Sequence, residues 1–182
     1  MSTQNNLITS NTGLVDPLSK LNKFKIILPV VGAIALFLIS FNPVGALFGA
    51  GIGFLAAYLL IQGIAAIKHA KLNMKDYPLP SPITEQLLYE HLSQSLFNPD
   101  IQIERTNSAI DFWYKDKTEH ILIINEKKQT YSITSRMTTT ARKKRGGKSN
   151  SATEYRNAVI VVPIINKAVE DTVTALKTAL SN

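Results

Sequence analysis

The hydrophobic pattern of this chain changes character once. Between Lys25 and Lys68 there is no charged side chain, and in residues 26–67 only Asn42 and Gln62 are strongly polar. A single membrane-crossing helix uses about 20 apolar residues. The run is therefore too long for one pass and fits two. Its natural break is Asn42-Pro43, because proline lacks a backbone donor, disfavours helix at the residue before it and fits the first turn of a following helix. The pattern predicts a hairpin of two transmembrane helices over residues 25–67, with arms 25–41 and 43–67 and a turn at 42–43; the competing reading is a re-entrant wedge that does not reach the far interface. Pro29 falls near the start of the first arm. A signal peptide fits poorly, since about two dozen residues precede the apolar stretch and a second run follows it directly.

Beyond residue 75 the runs become short. Residues 76–82 hold three prolines and read as an extended spacer. A helix is predicted over 83–97, with Leu87, Leu88, Leu92 and Leu96 at near-helical spacing and Ser81 or Thr84 available as a cap. Strands are predicted over 101–105, 109–115, 120–125 and 129–136, from the alternation Ile101/Ile103, Ile110/Phe112/Tyr114 and Tyr131/Ile133. The β-branched run 157–162 reads as a fifth strand ended by Pro163, and 164–180 as a closing helix with Ile165, Val169, Val173 and Leu176 along one stripe. The fold class expected is thus a membrane helical hairpin plus a small cytoplasmic α+β domain of helix, four to five antiparallel strands and helix. The corresponding division is a polar N-terminal tail (1–24), the hairpin (25–67), a basic and proline-rich linker (68–82) and the α+β domain (83–182). Bacterial proteins in which a membrane hairpin precedes a pleckstrin-homology-like domain have a similar plan, with more strands than are counted here.

Charge then gives the hairpin a direction. Lys20, Lys23 and Lys25 precede it, Lys68, Lys71 and Lys75 follow it, and its turn is uncharged. The excess of lysine on the flanks predicts that both termini face the cytoplasm, in a plasma or bacterial inner membrane. No Asp, Glu, Lys, Arg or His lies in residues 26–67, which argues against an ion-coupled carrier or proton relay. Within the second arm Gly45, Gly49, Gly53 and Ala57 recur every four residues, a small-residue face that lets another helix backbone approach closely. This resembles the small-residue hairpins of several bacterial envelope proteins. The face has two candidate mates: the first arm, through Gly32, Ala33, Leu36 and Ser40, or another copy of the chain in a homo-oligomer or a larger membrane complex.

The formal charge of +7, from 20 Lys plus Arg and 13 Asp plus Glu, is local in origin. Five of the seven residues 142–148 are basic: Arg142, Lys143, Lys144, Arg145 and Lys148. Residues 76–182 carry net +2 with this segment and −3 without it. The segment reads as a mobile loop that could meet anionic lipid headgroups, an acidic protein surface, nucleic-acid phosphates or solvent alone. Nucleic acid is the weakest of the binding options, since Trp113 and Tyr114 offer too few aromatics for base stacking.

Candidate chemistry is sparse. The chain has no cysteine, which excludes disulfides, thiolate metal sites and cysteine nucleophiles. His69, His91 and His120 stand in no metal-ligand spacing, and there is no phosphate loop, dinucleotide fingerprint or nucleophile elbow. No catalytic residue, metal or cofactor is expected. An enzyme would need Asp111, Glu119 or His120 to converge. The reading favoured by the sequence is a non-enzymatic membrane-anchored protein whose cytoplasmic domain binds a protein or the lipid surface. The alternative is a subunit of an oligomeric pore or secretion assembly.

Overall fold

The computed structural model describes residues 16–79, 83–96, 98–106, 109–144, 146 and 149–180. The tail to residue 15, linker residues 80–82, and Arg145 and Lys148 of the basic segment lie outside the described residues. Two compact units result. One contains the described residues up to Ala70 together with Asn150–Arg156, and the other contains Lys71–Ser149 and the chain from Asn157 onward.

The first unit is built on α1 (Phe24–Ser40) and α2 (Pro43–Asn73, of which the portion to Ala70 belongs here). Both are long and apolar enough to cross a membrane. The turn falls at the expected place. Phe41 takes a left-handed conformation (φ 49°) and its N–H bonds the Phe37 carbonyl. The Asn42 side chain then accepts from Val44 N at 2.9 Å, filling one of the open donors at the start of α2. Pro29 lies just past the first turn of α1 and is buried. The outward residues are large and apolar: Ile26, Ile34, Leu38, Leu47, Phe48, Ile52 and Leu55 are each more than half exposed. Near the lysine-flanked end, Leu18, Ile61, Ala65 and Ala152 form a small buried cluster.

α2 continues beyond the expected end at residue 67. Gln62 is one of the two strongly polar residues in the apolar run. Its side chain accepts from Ala152 N and donates to Asn150 Oδ1, both at 3.2 Å, and Asn150 Oδ1 also accepts from Thr153 N at 3.0 Å. Gln62 and Asn150 together cap the start of α5 (Ser151–Leu180).

The second unit is a five-stranded antiparallel sheet with helices on one face. Its strands are β1 (Asp76–Pro78), β2 (Ile101–Thr106), β3 (Ala109–Tyr114), β4 (Thr118–Asn125) and β5 (Thr130–Met137), in the order β1-β5-β4-β3-β2. Lys115 and Asp116 both have positive φ, and Lys117 N bonds the Tyr114 carbonyl at 3.0 Å, a tight β3–β4 turn whose twist suits a hairpin. Helix α3 (Glu85–Ser95) is capped by Thr84, whose hydroxyl accepts from Leu87 N. The core joins Leu88 and Leu92 of α3, Ile110, Phe112, Leu122, Tyr131 and Ile133 of the sheet, and Val161, Ile165, Val169 and Val173 of α5.

Two expectations need correction. Residues 157–162 are helix, not a fifth strand. Ala158, Val161, Val162 and Ile165 are buried at helical spacing, and α5 runs through Pro163, an exposed position. The β-branched composition suggested a strand, but burial at i, i+3, i+4 and i+7 against the sheet outweighs propensity. The fifth strand is instead Asp76–Pro78, inside the segment expected to be only a spacer. It pairs with β5 through Asp76↔Ser132, Tyr77↔Tyr131 and Pro78↔Thr130, and the Tyr77 and Tyr131 rings stack at 5.4 Å. Pro78 is tolerated because β1 is an edge strand.

Candidate functional site

In α2 the small residues sit where backbone meets backbone. Gly49, Gly53 and Ala57 are buried. A Cβ on Gly49 would collide with the carbonyl of Gly32, one on Gly53 with Leu28 O and Pro29 Cα, and one on Gly45 with the Ser40 hydroxyl and Leu36 O. Gly51, by contrast, faces open space beside Leu47, Phe48, Ile52 and Leu55.

The basic segment begins as a short helix rather than a loop. Thr138 closes β5 and caps α4 (Thr139–Lys144), its hydroxyl accepting from Ala141 N at 3.1 Å. Arg142, Lys143 and Lys144 form the last turn of α4 and are exposed. Cations are favoured at that end because the helix carbonyls point toward them.

Of the three groups named for an enzyme, Asp111 and Glu119 come near each other and His120 does not join them. Residues alternate faces along a strand. Asp111 and Glu119 therefore stand on one face of the sheet and His120 on the other. His120 is fully buried, its Nδ1 2.7 Å from Ser135 Oγ and its Nε2 3.1 Å from Thr118 Oγ1, and that hydroxyl accepts from Asn157 Nδ2 at 3.1 Å. The side chain of Asn73 brackets the same region of β5, accepting from Ser135 N at 3.0 Å and donating to Ser135 O at 3.3 Å. This is how a core histidine is satisfied. Among the described residues no group of three or more His, Asp or Glu could hold a metal ion.

The sheet face away from the helices was not singled out by the sequence. Register places Gln102, Trp113, Glu119 and Arg136 in one row across β2, β3, β4 and β5, and Glu104, Asp111, Ile121 and Thr134 in the next. Arg136 Nε donates to Glu119 Oε2, and the carboxylate holds the guanidinium pKa up. Asp111 is different. It is 6% exposed, and its Oδ1 and the Trp113 Nε1 are buried without a hydrogen-bond partner. Burial raises the Asp111 pKa first, and Glu119 and Glu104 raise it further, against the opposing effects of Thr106 and Arg136. The available signal was the polar alternation of Asp111 with Ile110 and Phe112, but it does not reveal which neighbours register would supply.

No protein-family model, curated protein or solved structure matches the chain.

Proposed function

We propose that this is a non-enzymatic integral membrane protein, anchored by α1 and α2, whose sheet-bearing unit serves as a cytoplasmic binding module. The observation that carries the reading is the inverted hairpin, with small residues between its helices and large apolar residues outside. Such a surface is unfavourable in water and matched to lipid. The lengths agree with it. α1 has 17 residues, about 25 Å at 1.5 Å per residue, and the stretch of α2 before Gln62 is similar, close to a hydrocarbon thickness of about 30 Å. On this reading Gln62 marks the return to the interface, and Lys68, Lys71 and Lys75 lie on the cytoplasmic side. Arg142, Lys143 and Lys144 are then tethered near anionic headgroups, where each contributes about 1 kcal/mol of attraction.

The chain has no cysteine, so single introduced cysteines report cleanly. In oriented vesicles, Asn42→Cys is expected to label from the outer side and Asn182→Cys from the inner side. Outer labelling at residue 182 would overturn the orientation. A fluorophore on Gly146→Cys of the reconstituted protein should shift to the blue as anionic lipid is added. That shift should vanish when Arg142, Lys143, Lys144 and Arg145 are all replaced by Ser. A response unchanged by the replacement would sink the lipid role.

A further inference from the structure

We infer that β2 is the edge through which two copies of this chain pair, strand against strand, into one continuous sheet. The inference rests on the binding-module reading above and names the partner as a second copy.

The two edges of the sheet are finished differently. On the β5 side, β1 pairs with Thr130–Ser132, and the Asn73 side chain meets both the N–H and the carbonyl of Ser135, at 3.0 and 3.3 Å. β2, at the opposite edge, has β3 alone as its neighbour in the sheet. Lys115 N bonds the Asp100 carbonyl at 3.0 Å, which fixes the phase of the β2–β3 ladder. Hydrogen-bonded and unbonded pairs alternate along an antiparallel ladder. Gln102, Glu104 and Thr106 therefore turn their backbone groups to β3, and Ile101, Ile103 and Arg105 turn theirs outward. The Ile101 N–H is taken by the Asn98 carbonyl at 3.0 Å. Among the described residues no hydrogen bond reaches the backbone N–H or carbonyl of Ile103 or Arg105.

An open ladder of this kind is a template for another strand. Which strand fits follows from the side chains. Ile101, Ile103 and Arg105 share the face of Phe112 and Tyr114, toward the helices, and Gln102 and Glu104 point away. A neighbour must keep both faces matched. A second β2 does so when a two-fold axis passes at one residue of the strand. With the axis at Ile103, each Gln102 stands opposite the partner's Glu104, an amide donor against a carboxylate. Ile103, only partly buried in the single chain, then packs on the partner's Ile103 and exchanges both backbone bonds with it. Each Arg105 N–H meets the partner's Ile101 carbonyl.

The neighbouring registers are each opposed by charge. An axis at Glu104 sets Glu104 against the partner's Glu104, and one at Arg105 sets Arg105 against the partner's Arg105. An axis at Gln102 sets Glu104 against the partner's Asp100. Charged residues on an edge strand discourage indiscriminate pairing. Here they leave one self-complementary register open, which is the argument for a second copy as the occupant.

The chain has no cysteine, so disulfide trapping reads the register. Opposed residues of an unbonded pair have Cα atoms about 4.5 Å apart, within disulfide reach. Full-length Gln102→Cys and Glu104→Cys chains, tagged to differ in size, are mixed in lipid vesicles and oxidised. A disulfide dimer containing both tags is expected. Either variant alone should give at least tenfold less dimer, because like positions lie two residues out of register. Ile103→Pro removes an outward N–H that the single chain does not use, a change an edge strand tolerates. Added to both cysteine chains, it should cut trapping at least tenfold. In chains without cysteine, Gln102→Glu should raise the dimer dissociation constant at least tenfold, read by energy transfer between amino-terminally labelled copies. Glu104→Lys in the same chain should restore pairing, which a misfolded variant would not do. The inference is overturned by no mixed dimer, by equal trapping in either variant alone, by trapping that survives Ile103→Pro, or by no rescue from Glu104→Lys. None of these outcomes touches the labelling at residues 42 and 182 or the lipid response at residue 146, so failure here and failure of the anchor reading are separable.

Discussion

The two units of this protein are built in opposite senses. In the hairpin the interior is glycine and alanine against backbone, and leucine, isoleucine and phenylalanine point out. In the sheet unit Phe112, Ile110, Leu122, Ile133 and Val161 are fully buried, and most charged residues are exposed, Asp111 and Glu119 being exceptions. On the proposed reading the difference follows from the solvent that surrounds each unit. In water large apolar groups must be hidden, and hiding them supplies the stability. In lipid there is no gain from hiding them, so close backbone approach and dispersion hold the helices together.

The contrast can be broken by substitution, and the largest effect is expected in the sheet unit. Phe112→Ala should cost about 3–5 kcal/mol in chemical unfolding followed by circular dichroism, whereas truncating the equally large but outward Phe48 should change little. If Phe48→Ala is as damaging as Phe112→Ala in a bilayer, the two units do not differ as described.

Next comes Gly49→Leu, where the side chain meets the Gly32 carbonyl and has nowhere to move. A loss of about 1–3 kcal/mol or more is expected from overpacking. Gly51→Leu is the control, since its face is open, and should stay within about 0.5 kcal/mol. Equal effects at the two positions would remove the small-residue face from the account of hairpin stability. Thr84→Ala, which deletes the α3 cap, should cost about 1 kcal/mol.

The subtlest expected effect is on pH dependence. Asp111 has a raised folded pKa, so the folded state holds this proton more tightly than the unfolded chain. Stability should therefore rise as pH falls through that raised value toward the ordinary one near 4. Asp111→Asn should abolish that rise. Asp16 acts in the opposite sense. Its hydrogen bond from Arg156 lowers its pKa, so its contribution is present above the ordinary value and is lost as pH falls through the lowered one. Denaturation midpoints between pH 3 and 7, parent against Asp111→Asn, measure the difference.

Much of the fold was legible because it is local. The turn at Asn42-Pro43, the Thr84 cap and four of the five strands are written in short-range signals, and the observed boundaries of those strands fall within two residues of the expected ones. The failures share a cause. The run at 157–162 has strand-like composition, and only the position of the sheet tells it to be helix. Asp76–Pro78 is a strand only because β5 lies beside it. Gln62 has its partners, Asn150 and Ala152, about 90 positions along the chain, where no short-range signal reaches.

The same division runs through the candidate surfaces. Sequence alone determined that one stretch is apolar enough to cross a membrane, that it bends at Pro43, and that positive charge gathers at its flanks and after β5. Those properties belong to composition and spacing, which survive without a fold. Only the tertiary structure decided that Asp111 stands opposite Glu104 while Glu119 faces Arg136. Strand register brings together residues that sequence keeps apart, and the energy of a charge depends on what register places beside it.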